Sequence, residues 1–432
     1  MRADFFWAVG IENAYMPDMG VDELGWTAHR ELWREDLQLA AALGISHIRY
    51  GLAWADLNPA PGRFDWSWSD AAVEHLQSLG LEPIWDLVHF GTPAWLPGGL
   101  RDDDYPEAVA RYAAAFAGRY AGIVNKLTPF NEPYIASLFR GGIGAWPPYE
   151  TGHAGFARSL LPIADGLRRS ILAIRAASPQ AEIWQNDGAD RFRAAVPELQ
   201  EEARLLTLER YAGLDIIAGL CGKGSETHEL LTASGADSVR LERWASEPTP
   251  ADVIGLDYYP GTEHLIGHRQ GPRSPYDWGQ REDYASSPDR EPAGIAETAR
   301  LYHERYRRPV YIAETSAEKL RPEWLEWSAS ECARARAAGT PVIGYTWWPL
   351  FDHIDWNSGL TRLVGHVCPG GLYHLTPSVR DRSESPLRDA FAAVVAQGAP
   401  VDTGRREAPI PLASSVEGEV VVDEAIEKLS RP

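Results

Sequence analysis

Eight apolar runs, each with the length of a buried strand, alternate along the chain with segments that carry apolar residues at helical spacing. The runs lie at 5–11, 45–54, 81–90, 126–132, 181–187, 251–259, 309–315 and 341–348. Helical spacing is clearest at 31–43, 71–79, 106–120, 155–177, 294–306 and 323–338, and several of these segments stop at a glycine, which commonly ends a helix. Eight alternating units favour a closed parallel barrel over an open sheet, so the sequence predicts an α/β fold of the (β/α)8, or TIM-barrel, type.

The length of 432 residues is compatible with one such barrel, because barrels routinely use this much chain as a single unit. We predict a single barrel domain over residues 1–400. Residues 401–432 are rich in Pro, Ser, Glu and Val without clear periodicity, and they are predicted to be a C-terminal tail, either an appendage or disordered.

Three stretches between the runs are harder to assign. Residues 191–208 favour a polar helix, and the pattern around 214–218 is ambiguous. Residues 260–290 are rich in Gly, Pro, Ser, Arg and Asp without periodicity, which predicts a long surface loop of the kind that often shapes a site.

Charge and cysteine content exclude several partner classes. A formal charge of -20 opposes binding to nucleic acid or to anionic lipid, because both need a concentrated basic surface. No stretch of 18 apolar residues occurs, the N-terminus does not resemble a secretion signal, and three scattered cysteines do not make a disulfide framework. We therefore expect a cytoplasmic protein without nucleic-acid or membrane partners, whose oligomeric state the sequence leaves open.

Two glutamates stand at the C-terminal ends of predicted strands, which form one face of a parallel barrel. Glu132 closes the fourth run and Glu314 the seventh, three strand steps and 314 - 132 = 182 residues apart. An isolated Asn-Glu-Pro at 131–133 would form only a polar turn, but two carboxyl groups across one cleft suit cleavage of an acetal. Arg49, inside the second run, needs a carboxylate partner, and 17 Trp with 17 Tyr suit a sugar-like ligand.

The residues around both glutamates resemble motifs of the family 1 glycoside hydrolases. Thr128-Pro129-Phe130-Asn131-Glu132-Pro133 resembles the acid/base motif of that family, and Ile312-Ala313-Glu314-Thr315-Ser316 resembles its nucleophile motif. The resemblance extends to about Gln397 and implies a cofactor-free retaining β-glycosidase on a (β/α)8 barrel, acting on a small carbohydrate. It implies that Glu132 is the general acid/base and Glu314 the nucleophile.

The same resemblance assigns roles to further residues. Asn131 would hold the sugar 2-hydroxyl, Arg49 would pair with Glu314 and lower its pKa, and Tyr259 would donate a hydrogen bond to the nucleophile. The remaining implied contacts with the sugar are those of His89, of Trp348 as the platform under the ring, and of Asp355 and Trp356 with the hydroxyls.

Three substrate-binding positions depart from the family pattern. Glu12 stands where the first strand of the family ends in Gln, Asp257 where Asn is usual, and Asp355 where Glu is usual. Because these positions shape one subsite, a common hexopyranoside is not assumed, and extra negative charge there would raise the pKa of the nucleophile unless Arg49 offsets it.

Branches of the family that take 6-phosphorylated sugars carry a Lys and a Ser after the motif that begins in the last strand, which here is Gly344 to Trp356. The following residues, Asn357-Ser358-Gly359-Leu360, contain no Lys, so the resemblance argues against a phosphorylated sugar.

Two other functions stay open at this point. One is a non-catalytic sugar-binding barrel, and the other is a transglycosidase. A metal site is not predicted, because the spacing of His366, Cys368 and His374 fits no common zinc pattern.

Overall fold

Eight parallel strands close into one barrel in a computed structural model that describes residues 5–268, 284–288 and 292–409. Each strand pairs with its neighbours in chain order, and the last strand pairs with the first. The predicted (β/α)8 fold is therefore confirmed. The barrel strands are β1 Phe6–Gly10, β2 His47–Gly51, β3 Glu82–Asp86, β4 Lys126–Thr128, β5 Glu182–Gly188, β6 Val253–Asp257, β7 Val310–Glu314 and β8 Val342–Trp347.

One long helix follows each strand and packs on the outside of the barrel. These helices are α1 His29–Ala41, α2 Ser67–Leu79, α3 Tyr105–Arg119, α4 Gly152–Ala177, α5 Gln200–Ala218, α6 Gly294–Tyr306, α7 Arg321–Ala337 and α8 Pro386–Ala396. The connecting segments carry shorter helical pieces at Glu23–Trp26, Trp54–Leu57, Gly99–Arg101, Pro133–Ser137, Leu138–Gly142, Pro197–Leu199, Glu226–Ala233, Ser238–Ser246 and Trp356–Ser358. Within the described ranges, none of the helices is long and apolar enough to cross a membrane.

The helices form where the apolar spacing places one face on the barrel. In α3, Val109, Tyr112 and Phe116 follow one another at intervals of three and four residues, and all three are buried. Pro106 occupies the first turn of this helix, where its missing N–H costs no hydrogen bond. Gly80 ends α2 in the left-handed conformation, at φ +69°.

The interior of the barrel changes character along the strands. Its lower part is an apolar cluster of Phe6, Ala8, Ile84, Trp184, Val253, Tyr311 and Ala313. Because side chains alternate between the two sides of a strand, the residue two positions after an inward one also faces inward. Ile84 is followed in this way by Asp86, and Trp184 by Asn186. The interior thus becomes polar at the C-terminal ends of the strands, which is the face where barrel active sites form.

A small three-stranded sheet lies outside the barrel, and it shows that two predictions from the sequence were wrong in part. The predicted polar helix over 191–208 begins as a strand, Arg191–Ala194, and the helix itself starts only at Gln200. The predicted loop over 260–290 contains the strand Glu263–His268, which pairs with Arg191–Ala194, and the strand Tyr284–Pro288. The ambiguous residues 214–218 form the end of α5.

Strands Arg191–Ala194 and Glu263–His268 were missed because each contributes only one buried side chain to an apolar cluster. Phe192 and Ile266 pack against Ala203 and Leu206 of α5, in a cluster separate from the main core. The strands are four to six residues long, so neither gives an extended period-two pattern.

The chain after α8 continues along α7. Thr403 Oγ1 lies 3.0 Å from Ser330 Oγ, and the Arg405 Nε donates to Glu326 at 2.9 Å. Helix α8 itself had no counterpart in the sequence analysis. Residues 410–432 of the predicted tail lie outside the described residues, and the division at residue 400 stays a prediction.

Candidate active site

Glu132 follows β4 and begins the short helix Pro133–Ser137. Its backbone is left-handed, at φ +48°, which is uncommon for a residue with a side chain. The carboxylate of Asp187 accepts two contacts from the Tyr134 N–H, at 2.9 and 3.2 Å, and so holds the first turn of this helix. The side chain of Glu132 is thereby fixed at the rim of the barrel, and the residue is 8% exposed.

Glu314 is the last residue of β7. A register shift between Ile312 and Glu314 sets this glutamate opposite Asp257 of β6, and such irregularities commonly redirect a side chain beside an active site. Glu314 Oε1 accepts a hydrogen bond from Arg49 Nη1, and Oε2 accepts one from the Tyr259 hydroxyl at 2.7 Å. Two donors therefore hold the carboxylate in one orientation.

Three carboxyl groups meet at this end of the barrel. One carboxylate oxygen each from Glu132, Asp257 and Glu314 lies within 4.8 Å of the other two. All three residues are buried. The two glutamates predicted to face each other across the barrel are thus brought together, with an aspartate beside them.

The surroundings favour a protonated Glu132. Burial, followed by the charge of Glu314 and then that of Asp257, raises the pKa of Glu132 well above its usual range. Burial and the charge of Glu314 also raise the pKa of Asp257. A carboxyl that keeps its proton near neutral pH can donate it to a leaving oxygen.

Arg49 connects the two sides of the cluster. This side chain is fully buried, and besides Glu314 its Nη2 donates to Asp86 Oδ2 at 3.0 Å and to Asn131 Oδ1. The guanidinium carbon lies 4.7 Å from the ring centroid of Trp348. Arg49 was predicted to need one carboxylate, and it contacts two, those of Glu314 and Asp86. The sequence analysis did not predict a role for Asp86, although a charged residue inside an apolar run could have indicated one.

His89 lies between Asp86 and the first strand. Its Nδ1 is 2.8 Å from Asp86 Oδ2, and its Nε2 is 3.1 Å from Asn131 Nδ2 and 3.4 Å from Glu12 Oε1. Burial by itself lowers the pKa of His89, but the carboxylates of Glu12 and Asp86 outweigh it and raise the pKa above the ordinary value. The ring stacks on Trp348 with 5.8 Å between centroids.

Glu12 holds the indole of Trp348. Glu12 Oε2 accepts a hydrogen bond from Trp348 Nε1 at 3.0 Å, while Oε1 accepts one from the Ala14 N–H at 2.9 Å. Burial raises the pKa of Glu12. The indole lies directly over Gly10, where a Cβ atom would come within 1.8 Å of the ring, so the end of β1 requires glycine.

Asn186, at the end of β5, joins Asn131 to Asp257. Its Nδ2 donates to Asn131 Oδ1 at 2.7 Å and to Asp257 Oδ2 at 2.5 Å. Asn186 was not among the predicted substrate contacts, although its position at a strand end was a usable signal. These two hydrogen bonds connect Asn131 to Asp257, so both residues lie on the same side of the site.

Asp355 lies apart from this network. Its Oδ2 accepts hydrogen bonds from the N–H groups of Val364 and Gly365, both at 2.9 Å, and its Oδ1 accepts one from that of His366 at 2.8 Å. The residue is fully buried. Both oxygens hold the backbone turn at 364–366, so the structure gives this carboxylate another role than the sugar contact implied by the resemblance.

Trp356 borders the pocket through its aromatic neighbours. Its ring centroid is 6.0 Å from that of Phe90, the residue after His89, and 6.4 Å from that of Trp146. The buried Nε1 of Trp356 has no hydrogen-bond partner among the described residues. This N–H is therefore available as a donor beside the rings of Phe90 and Trp146.

A second group of potential metal ligands lies outside the carboxylate cluster. Ligand atoms of Glu318, His353 and Cys368 lie within 4.8 Å of one another. Burial lowers the pKa of His353 to about 4, so its imidazole is neutral near pH 7. The Cys368 considered in the sequence thus meets partners other than His374, whose Nδ1 is 3.1 Å from Asp352.

Comparison with known proteins finds a family model that matches part of the chain. The family model described as Glycosyl hydrolase family 1 matches residues 16–164, a segment that carries Arg49, His89, Asn131 and Glu132. Over this segment the chain is similar to glycosyl hydrolase family 1. The resemblance seen in the motifs is confirmed, and the chain is a glycoside hydrolase of the β-glycosidase type.

Relatives of this glycosyl hydrolase match most of its length at low identity. It is 20% identical over 383 residues to β-glucosidase A of Thermotoga maritima, which covers 83% of this chain and 84% of the relative. It is 23% identical over 380 residues to the cytosolic β-glucosidase of Homo sapiens, with 77% of this chain and 80% of the relative covered.

The fold has a close counterpart among solved structures. The β-glucosidase of Thermotoga maritima in complex with glucoimidazole superposes on this chain with a TM-score of 0.75. The match covers 92% of this chain and 100% of the other, at 18% sequence identity. At that identity the likeness concerns the fold alone.

Proposed function

We propose that this family 1 chain is a retaining β-glycosidase that hydrolyses small oligosaccharides or glycosides by double displacement. The separation of the two glutamates carries the proposal. Carboxylate oxygens of Glu132 and Glu314 lie within 4.8 Å of each other. Retaining enzymes hold their carboxyl groups about 5–5.5 Å apart, whereas inverting enzymes leave about 6.5–9.5 Å for a water molecule.

Glu314 is the proposed nucleophile. One of its oxygens attacks the anomeric carbon, and the bond from that carbon to the leaving oxygen breaks as Glu132 transfers its proton to that oxygen. The hydrogen bonds from Arg49 and Tyr259 hold the attacking carboxylate in line. A covalent glycosyl-enzyme intermediate results.

Glu132 acts first as the acid and then as the base. In the free enzyme, burial and the charge of Glu314 raise its pKa and keep the proton in place. Once Glu314 is esterified, its negative charge is gone, so the pKa of Glu132 falls and the carboxylate can deprotonate a water molecule. That water attacks the anomeric carbon from the face the leaving group occupied, and the product retains its configuration.

The glycon lies, in this proposal, over Trp348 and against Glu12, His89 and Asn131. A flat indole supports the apolar face of a pyranose ring, while carboxylate, imidazole and amide groups bind its hydroxyls. Two of the relatives are named β-glucosidases, which supports a glycon of pyranose type.

We also propose a cytoplasmic location. The name of the human relative, cytosolic β-glucosidase, supports it, as do the three unpaired cysteines Cys221, Cys332 and Cys368.

The test of the mechanism is the Glu314→Gly variant with an aryl β-glycoside as substrate. Without the nucleophile, release of the aryl group is expected to fall by at least about 10³-fold. Added azide should restore part of the rate by attacking the anomeric carbon in place of Glu314, and NMR should show an α-glycosyl azide. Glu407→Gly, at an exposed position, is the control and should keep full activity without an azide effect.

Other outcomes identify the alternatives. A folded Glu314→Gly variant that azide does not rescue contradicts the assignment of the nucleophile, and a first product of inverted configuration contradicts retention. Products longer than the donor, formed when acceptor sugar is supplied, indicate a transglycosidase. Binding of glycosides without release of any aglycone by the native chain indicates a sugar-binding barrel.

A further inference from the structure

Asp257 is an acidic residue at a position where its hydrogen bond does not require one. The residue is 2% exposed, and its Oδ2 accepts one hydrogen bond from Asn186 at 2.5 Å. Its Oδ1 is buried without a hydrogen-bond partner among the described residues. An asparagine could accept the same bond with its amide oxygen, so this contact does not explain a carboxylate.

Charge balance in the pocket singles out the same residue. Arg49 and His89 are the two side chains here that can carry positive charge. Within the described part of the chain, the acidic groups around them are Glu12, Asp86, Glu132, Asp257 and Glu314. Arg49 pairs with Asp86 and Glu314, and His89 pairs with Asp86 and Glu12. Glu132 holds the catalytic proton in the proposed mechanism. Asp257 makes no ion pair among the described residues, and the charge of Arg49 lowers its pKa without offsetting burial and the charge of Glu314.

The position of Asp257 indicates which part of the substrate it meets. A carboxylate oxygen of Asp257 lies within 4.8 Å of oxygens of both Glu132 and Glu314, where the anomeric carbon reacts. Through Asn186, Asp257 is also connected to Asn131, which the resemblance implies to hold the 2-hydroxyl of the sugar. The carboxylate therefore adjoins the substituent on the carbon next to the anomeric centre.

We propose that the glycon is a 2-amino-2-deoxy sugar whose ammonium group pairs with the carboxylate of Asp257. The inference rests on the proposed function, since it uses the placement of the anomeric carbon between Glu132 and Glu314. An ionised carboxylate that is buried without an ion pair of its own is unfavourable, and an ammonium supplies both the paired charge and a donor for Oδ1. A neutral hydroxyl at the same position supplies only the donor.

Proton exchange accompanies this recognition. Burial and the neighbouring Glu314 raise the pKa of Asp257, so the empty pocket favours its protonated form. An arriving ammonium stabilises the ionised form, and the proton leaves to solvent as the ion pair forms. Sites that depend on one buried polar contact discriminate strongly against ligands that lack the matching group.

The experiment compares kcat/KM for an aryl 2-amino-2-deoxy-β-D-glucoside with that for the aryl β-D-glucoside. The native chain should prefer the amino sugar. Asp257→Asn should shift the ratio towards the neutral glucoside by about 10-fold or more, the effect of losing one charge-assisted hydrogen bond. Asp103→Asn removes the same charge at an exposed position and should leave the ratio unchanged.

A second measurement needs no variant. The kcat/KM of the native chain for the amino glycoside should fall relative to the neutral glucoside as the pH rises through the pKa of the substrate ammonium. The aryl N-acetyl-β-D-glucosaminide, which keeps the nitrogen without its charge, should be a poor substrate at every pH. This arm decides the question even where Asp257→Asn does not fold.

Several results overturn the inference. Preference of the native chain for the neutral glucoside, with the same ratio in Asp257→Asn, removes the ammonium contact while leaving the proposed function intact. Loss of activity in EDTA that Ca²⁺ or Mg²⁺ restores means that the three carboxylates hold a divalent cation instead. Failure of the native chain to cleave any aryl β-glycoside overturns the proposed function together with this inference.

Discussion

Single residues in this site act through their neighbours, and Arg49 shows this most clearly. One guanidinium contacts Glu314, Asp86 and Asn131, so it supports both the proposed nucleophile and the residue beside the proposed acid. Its planar fork suits this task, because several donors point in fixed directions from one rigid group. The charge alone is not what the site needs.

Arg49→Lys tests that statement. A lysine keeps the positive charge but cannot reach the three acceptors at once, so we expect kcat/KM for an aryl β-glycoside to fall by about 10²–10³-fold. Circular dichroism should show a folded barrel. Arg111→Lys, on the exposed side of α3, is the matched control and should be fully active. Near-native turnover by Arg49→Lys would mean that charge suffices.

The residues of the site could be predicted from the sequence by type and position, but their distances could not. Glu132 and Glu314 stand at strand ends, where the barrel rule gathers them, and Arg49 was expected to need a carboxylate. The roles of Asp86 and Asn186 depend on contacts between different strands, which no local pattern encodes. The same reason hid the short separation between Asp257 and the two glutamates.

Among the structural elements, the segment after β8 shows how a polar residue can shape the site without lining it. The carboxylate of Asp355 accepts hydrogen bonds from three backbone N–H groups of the turn at 364–366. Trp356, the next residue, carries an indole N–H that has no hydrogen-bond partner within the part of the chain that the structure describes. The aspartate therefore fixes the backbone from which the tryptophan projects.

Asp355→Asn should consequently lower stability more than it affects substrate binding. In the asparagine variant one of the two accepting oxygens becomes an NH2 group, which cannot accept a hydrogen bond from the backbone. We therefore expect the free energy of unfolding to fall by about 2 kcal/mol. KM should change little in the folded variant. Denaturant titration and steady-state kinetics give the two numbers, with the exposed Asp389→Asn as control. A raised KM at unchanged stability would restore the sugar contact implied by the resemblance.

Elements with long periodic patterns were predicted well, and short ones were not. Helix α6 was placed at its observed bounds, because its apolar face runs over 13 residues. The sequence predicts helix over strand Arg191–Ala194, because this strand is only four residues long and precedes a helix. Its partner Glu263–His268 lies in a stretch whose composition is typical of loops, and only the pairing reveals it.

On the scale of the whole molecule, two classes of carboxyl group act on stability in opposite directions. Burial raises the pKa of one class, so the folded chain binds their protons more tightly than the unfolded chain does: Glu12, Glu23, Glu132, Asp187 and Asp257. A second class is stabilised in its ionised form. Hydrogen bonds from His47 and from Arg101 lower the pKa values of Glu82 and Glu150 to about 2.

The thermal stability of the protein should therefore peak at mildly acidic pH. The stabilisation from the buried class is present below the usual carboxyl pKa and is lost as the pH rises through their raised pKa values. That from Glu82 and Glu150 is present above the usual value and is lost as the pH falls towards about 2. Calorimetry across the pH range measures Tm directly. A Tm that rises steadily from about pH 5 to pH 9 would contradict this balance.

The left-handed backbone of Glu132 has a consequence for how such a chain can change over generations. A glycine would occupy φ +48° more easily than a glutamate, and it would also remove a carboxyl that is buried beside two others. Selection for folding alone would thus favour the loss of this side chain. At this position the requirements of turnover and of folding oppose each other, so a lineage released from its substrate would gain stability by losing this side chain.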